Sequence, residues 1–239
     1  GSFVTASNDP NLLYYNPAGL PTLERPQVSL AYVSHLLDVS AGSLSYGQVV
    51  EGFGALGGGI RFIDYGTFTR TDESMNTLGT FGARELALTV GWGFFITEDV
   101  TVGAALEFIH SSLADYRSSG LAGSLGLLYF IPAEQLTFGV SVLHLGAQLS
   151  SYAGVREPLP LDVKIGVTKR PEHQPVNLSV NFHKLTERRE KLLEHLASFS
   201  IGAEFLLSES LRLRFGYSNE QRREMKLGTS SGHAGFAAG

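Results

Sequence analysis

Few side chains in this 239-residue sequence are spaced for chemistry. Seven histidines (His35, His110, His144, His173, His183, His195 and His233) are scattered, without the HExxH or similar spacing that puts two imidazoles on one metal. They read as wall or loop histidines. The absence of cysteine removes disulfide scaffolds, thiolate zinc sites, iron–sulfur clusters and thiol nucleophiles together. No Gly-x-Ser-x-Gly elbow presents a serine nucleophile. Residues 54–59, GALGGG, resemble a phosphate loop superficially, but no Lys-Ser/Thr follows and the context alternates as a strand does. Glu85 or Glu204 beside Arg212 or Arg214 could be imagined as acid–base groups of a hydrolase, but structural ion pairing accounts for them more simply. The sequence therefore names no catalytic residue, metal ligand or cofactor, and the chain reads as a non-enzyme.

The composition is 17% charged with 28 glycines, mixed with aromatic and β-branched residues rather than Ser/Pro repeats, so it does not read as disordered. A net charge of −5 and a pI near 5.8 argue against a phosphate-backbone binder, so no nucleic-acid partner is expected. No apolar run reaches the roughly 18 residues of a membrane-spanning helix, and residues 125–131 are strand-sized. The start lacks the pattern of a signal peptide, and residues 232–239 stop in mid-pattern. The sequence is expected to be a piece of a longer protein.

The elements that carry these residues alternate with period two. Leu86, Leu88, Val90, Trp92 and Phe94 share one face, against Glu85, Ala87, Thr89, Gly91 and Gly93. Val100, Val102, Ala104, Leu106 and Phe108 repeat the pattern, as do Val176 to Phe182 and Leu211 to Tyr217. Successive strand side chains point to opposite faces, so each segment has one apolar face and one small or polar face. Twelve such segments start near Gln27, Val39, Phe53, Glu85, Val100, Ser119, Leu136, Leu161, Val176, Phe199, Ser210 and Arg223, with a thirteenth from Gly232. Most are expected to run about 9–12 residues, the length with which a tilted strand crosses a bilayer.

Short links near residues 97–99, 132–134, 170–174 and 207–209 alternate with longer ones at 66–83, 111–118, 149–160 and 185–197, as when strands run up and down through a slab. The non-apolar face carries Arg61, Glu85, Glu107, Lys164, Glu204, Arg212 and Arg214. If the apolar face were inside, twelve strands would enclose more volume than Val, Leu and Phe could fill. If it faces lipid, the charges line a lumen where they meet each other or water. A sheet in lipid must close on itself, and the even strand numbers of bacterial barrels suggest about fourteen in all. The expected fold is all-β: an antiparallel up-and-down transmembrane β-barrel (residues 26–239) preceded by a separate N-terminal segment (residues 1–25).

In that segment, Asn16 precedes Pro17, Ala18, Gly19 and Leu20. A residue before proline is held extended, so Asn16 is a candidate N-cap with Pro17 at the first helical position. This motif, followed at once by strands, resembles the N-terminal hatch of FadL-like outer-membrane barrels. Residues 65–68 (YGTF), 113–121 (LADYRSSGL), 154–162 (GVREPLPLD) and 213–227 (LRFGYSNEQRREMKL) are similar to the PorV/PorQ branch of that family, part of the type IX secretion system of Bacteroidota. The resemblance implies a bacterial outer-membrane barrel with Asn16, Pro17, Ala18 and Gly19 in a hatch folded into the lumen. It also implies a role in protein secretion, with membrane lipid and PorZ-like surface proteins, or PorU- and PorV-like ones, as partners. On this reading the barrel anchors partners through outer loops, with Arg156, Glu157, Arg188 and Arg189 as candidate contacts and residues 185–197 as a short amphipathic docking helix. The alternative, carried by other FadL-like barrels, is transport of hydrophobic small molecules past a moving hatch.

Overall fold

The structure is a computed structural model that describes residues 4–34, 38–152, 158–186, 198–208, 211–224 and 235–238. Its strands are β1 (Gln27–Ser34), β2 (Ser40–Val50), β3 (Gly54–Thr71), β4 (Thr77–Thr97), β5 (Val100–Leu113), β6 (Tyr116–Ile131), β7 (Leu136–Ser150), β8 (Asp162–Lys169), β9 (Val176–Phe182), β10 (Phe199–Leu206), β11 (Arg212–Ser218) and β12 (Phe236–Ala238). They form one twelve-stranded sheet in strict sequence order, every pair antiparallel. The sheet winds round residues 4–25. That segment reaches Ser29 on β1 through Asn11 and Arg214 on β11 through Asp9, and between them it touches β2 to β6 and, through Thr5 and Val4, β8 and β9. This is the up-and-down barrel with a luminal N-terminal segment.

The two faces of the sheet divide as the alternation predicts. On β4, Val90 is 62% exposed and Trp92 41%, while Thr89, the neighbour of Val90 on the other face, is 4% exposed. Phe108, Leu125 and Leu178 are likewise exposed, whereas Thr101, Ser141 and Asn181 face inward and are buried. The fully buried apolar side chains are concentrated in the N-terminal segment and the wall it touches: Leu12, Leu13, Leu20 and Ala55. A water-soluble sheet would invert this, so the exposed apolar band is the face for hydrocarbon. Phe53, Trp92 and Phe94 cluster beside the β2–β3 turn, the Trp92 indole N–H donating to the Phe53 carbonyl at 2.9 Å. Aromatic rings with a polar handle settle at such an interface. Among the described residues no helix is long and apolar enough to cross a membrane.

Several expectations are corrected. Strands β3 to β7 have 14 to 21 residues rather than about 9–12. Residues 66–83 are the paired ends of β3 and β4, not a loop; only residues 72–76 turn. Phe68 stacks on Phe81 at 5.3 Å, and the Asp72 carboxylate closes the turn by accepting from the Ser74 and Asn76 backbone N–H groups. Residues 111–118 shrink to a two-residue turn at Ala114 and Asp115, so long and short links do not alternate strictly. No strand starts at Arg223: residues 219–224, NEQRRE, have helix formers and no alternation, and they form helix α1 (Asn219–Glu224), with Ser218 Oγ accepting from the Gln221 N–H. Arg156, Glu157, Arg188, Arg189 and most of the 185–197 segment lie outside the described residues.

Candidate functional site

The lumen holds the hatch, two short 3₁₀ turns at Pro10–Tyr14 and Pro17–Thr22. Each begins with a capped proline. Asp9 Oδ1 accepts from the Asn11 N–H at 2.9 Å, and Asn16 Oδ1 accepts from the Ala18 N–H at 3.2 Å. Fixed φ at the first position and a side-chain acceptor for an orphan N–H explain both starts. Asn16 does more than cap: its Nδ2 donates to the Val4 carbonyl at 2.8 Å and to the Leu127 carbonyl of β6 at 3.4 Å. Asn16 therefore ties the hatch to itself and to the wall.

The wall accepts the hatch because it lacks side chains there. A Cβ on Gly103 would run into the backbone of Pro17 and Ala18, one on Gly126 into the Asn16 amide, and one on Gly91 would lie 2.5 Å from Leu13 Cδ1. These inward glycines form a trough in which backbone meets backbone. Beside it, Thr101 Oγ1 donates to the Ala18 carbonyl at 2.7 Å. Across the lumen, the Val4 N–H donates to Asn181 Oδ1 at 3.3 Å, and Thr5, Thr168 and Ser179 form a hydroxyl chain.

All seven charged residues read from the sequence as luminal lie on the inward face. Arg61 pairs with Glu107, whose Oε2 also accepts from Thr89 Oγ1 at 2.9 Å. The Arg61 guanidinium lies 4.5 Å from the ring centre of Tyr14, a cation–π contact from wall to hatch. His144 Nε2 is 4.0 Å from the other Glu107 oxygen. Glu204 pairs with Arg214 at 2.8 Å, with Arg212 at 4.0 Å, and accepts from Asn177 Nδ2 at 3.0 Å. Lys164 sits 3.3 Å from Asp162 and faces the Tyr15 ring. Glu85, on β4, lines the same space as Tyr65 and has no part in the Arg212/Arg214 group on β11. Of the imagined pairs, Glu204 with Arg212 and Arg214 forms, as an ion-pair group, and Glu85 with either arginine does not; among the described residues no three His, Asp or Glu side chains are grouped to hold a metal.

What sequence reading missed is the space around these charges. A bulge between Asp64 and Thr67, with Gly66 at φ 77°, lets both Tyr65 and Phe68 face one space near the β3–β4 hairpin. There Tyr65, Phe68, Phe81, Leu113 and Tyr152 line an aromatic mouth of about 470 Å³. Next inward lies a chamber of about 400 Å³, walled by Val33, Ala41, Ile63, Ala87 and Ile109, which shares Glu85 with the mouth. At its floor Arg61 and Glu107 meet. Beyond Arg61 a polar cavity of about 1100 Å³ runs beside the hatch to the short turns at Pro132, Gln135, Arg170 and Pro171. Chamber and cavity have Ala31, Ser43 and Arg61 in common, so Arg61 stands where one passes into the other. Reading 66–83 as a loop hid the mouth. Ile63 and Ile109, apolar residues at inward positions of otherwise polar or small faces, were the available signal.

No family model matches the sequence, and no curated protein matches it. Solved structures do share the fold. The toluene transporter TodX of Pseudomonas putida aligns with a TM-score of 0.58 at 15% identity, over 91% of this chain and 81% of its own. A TodX deletion mutant, described as a monoaromatic hydrocarbon channel, aligns with a TM-score of 0.60 at 16% identity, over 91% and 80%. A Pseudomonas aeruginosa FadL homologue gives 0.53 at 8% identity, over 90% and 77%.

Proposed function

We propose that this chain is a bacterial outer-membrane barrel that admits small hydrophobic compounds, and that they cross from the aromatic mouth through the aliphatic chamber and past Arg61 once the hatch moves. The observation that carries this reading is the sequence of spaces itself. A lumen serving only as a plugged anchor needs no apolar chamber, because luminal side chains there would be polar and water-filled. The fold likeness to a toluene transporter and a hydrocarbon channel supports the same reading.

The hatch can be locked to test it. Thr5 and Thr168 have their hydroxyl oxygens 2.5 Å apart, within reach of a disulfide, and the native chain has no cysteine to interfere. Cells displaying Thr5→Cys/Thr168→Cys should take up labelled toluene slowly when oxidised and at the parent's rate after reduction. Uptake that is equal in both states and equal to that of cells lacking the protein would end the transport reading.

A second reading keeps the resemblance to the PorV/PorQ branch: anchoring of secretion-system surface proteins such as PorZ-like ones. The projecting β3–β4 hairpin favours it. At about 3.3 Å per residue β4 spans about 70 Å, well beyond a bilayer even when tilted. Removing residues 70–78 should then release a co-purifying partner while the barrel still folds, and a partner that stays bound would count against anchoring through this hairpin.

A further inference from the structure

We infer that the chamber selects uncharged compounds and turns away carboxylates, with Glu85 as the specificity-determining residue. The inference rests on the transport reading and goes beyond it to the charge of the substrate. An apolar pocket with few polar groups takes its orientation and selectivity from those groups. Here the charged ones are Glu85 at the entrance, and Arg61 and Glu107 at the floor, with Ser43 the neutral polar one. The Arg61 charge is already committed to Glu107 and to the Tyr14 ring. At the mouth the other cations are also taken, Arg84 by Asp64 at 2.9 Å and Arg70 by Asp115 at 3.4 Å. His144 lies on the far oxygen of Glu107 and does not line the chamber. A ligand in the chamber therefore meets one carboxylate in excess. A hydrocarbon is indifferent to it, whereas a ligand carboxylate is repelled in a setting where water screens poorly.

Naphthalene and naphthoate differ only in the carboxylate, so they isolate the effect. The experiment is equilibrium binding of each, radiolabelled, to the full chain in nanodiscs, with empty nanodiscs subtracted. The parent should bind naphthalene more tightly. Glu85→Gln should raise naphthoate affinity about tenfold, equivalent to about 1.4 kcal/mol, and leave naphthalene within about twofold. The unchanged naphthalene affinity also reports that the variant has folded. Glu107→Gln, which releases Arg61 for the ligand, should favour naphthoate further. Naphthoate binding as tightly as naphthalene in the parent, or a ratio unmoved by Glu85→Gln, would overturn charge selection while leaving transport standing. If the parent binds neither compound, the transport reading falls and this inference with it.

Discussion

Replacing Gly103 with alanine asks whether the hatch is held by backbone contact with the wall. The added Cβ has nowhere to go, because its nearest neighbours are backbone atoms of Pro17 and Ala18, and these are fixed by a proline ring and by two hydrogen bonds. A side chain could rotate away, but this turn must shift as a unit. Overpacking of that kind costs about 1–3 kcal/mol. Shifting Ala18 also stretches the bond from Thr101 Oγ1, which would leave a buried polar group unpaired at about 1–3 kcal/mol. Both apply to the docked state only, so the open population should rise by about 30- to 140-fold for a net loss of about 2–3 kcal/mol. The assay uses Leu20→Cys, fully buried in the docked hatch, and the rate at which a soluble maleimide labels it. Gly103→Ala should speed labelling by that factor. Gly91→Ala, whose closest approach is to the movable end of Leu13, with Leu20 Cδ1 and the Ala104 carbonyl at 3.3 and 3.4 Å, should do so by much less. Gly58→Ala, with nothing within 4 Å, should leave the rate unchanged. Equal rates for all three would refute the trough as the seat of the hatch.

Asn16→Ala removes the cap on Ala18 and leaves the Val4 carbonyl without its donor; labelling of the same cysteine should rise about tenfold, for a cost of about 1–2 kcal/mol. Leu88→Arg puts a charge on the outward apolar face and should destabilise the barrel in lipid by about 2–4 kcal/mol in urea unfolding, with no such loss if that face meets water. Burial alone would raise the Glu220 pKa, but hydrogen bonds from Lys184 and His183 outweigh it and hold it below the ordinary carboxylate range. A depressed native pKa stabilises above the unfolded value of about 4.3, and the stabilisation is lost as pH falls through the native one. Amide exchange in α1 should therefore accelerate on acidification through that window, and Glu220→Gln should abolish the dependence.

The wall was legible because its physics is local. Period-two alternation set the faces of β4 and β5, and nothing in the tertiary structure competes with it there. Strand ends were misread where local signals ran out. Between residues 66 and 83, glycine, threonine and serine suggest a loop, yet the stretch pairs with itself from Thr67–Gly82 to Thr71–Thr77, with Phe68 stacked on Phe81 across the hairpin. The seven luminal charges were visible as a class, but their partners were not. Arg61 and Glu107 meet across two intervening registers of the sheet, and Asp9 reaches Arg214 only once the sheet has curved. Glycine abundance was noted as composition. Its cause, the fit of an inserted segment, depends on a contact between residues distant in sequence.

The hatch also constrains the order in which the molecule can be assembled. Val4 and Asn181, joined by a hydrogen bond, are 177 residues apart. The seat for the first residues of the chain is made of β1 to β11, so it does not exist until nearly all the sheet has been wound. Residues 4–25 precede every strand of their seat in the sequence, so they must wait, unsatisfied, and be the last to settle. Contacts of such long range make folding slow. In a refolding time course, strand signals should thus be complete before Leu20 becomes shielded.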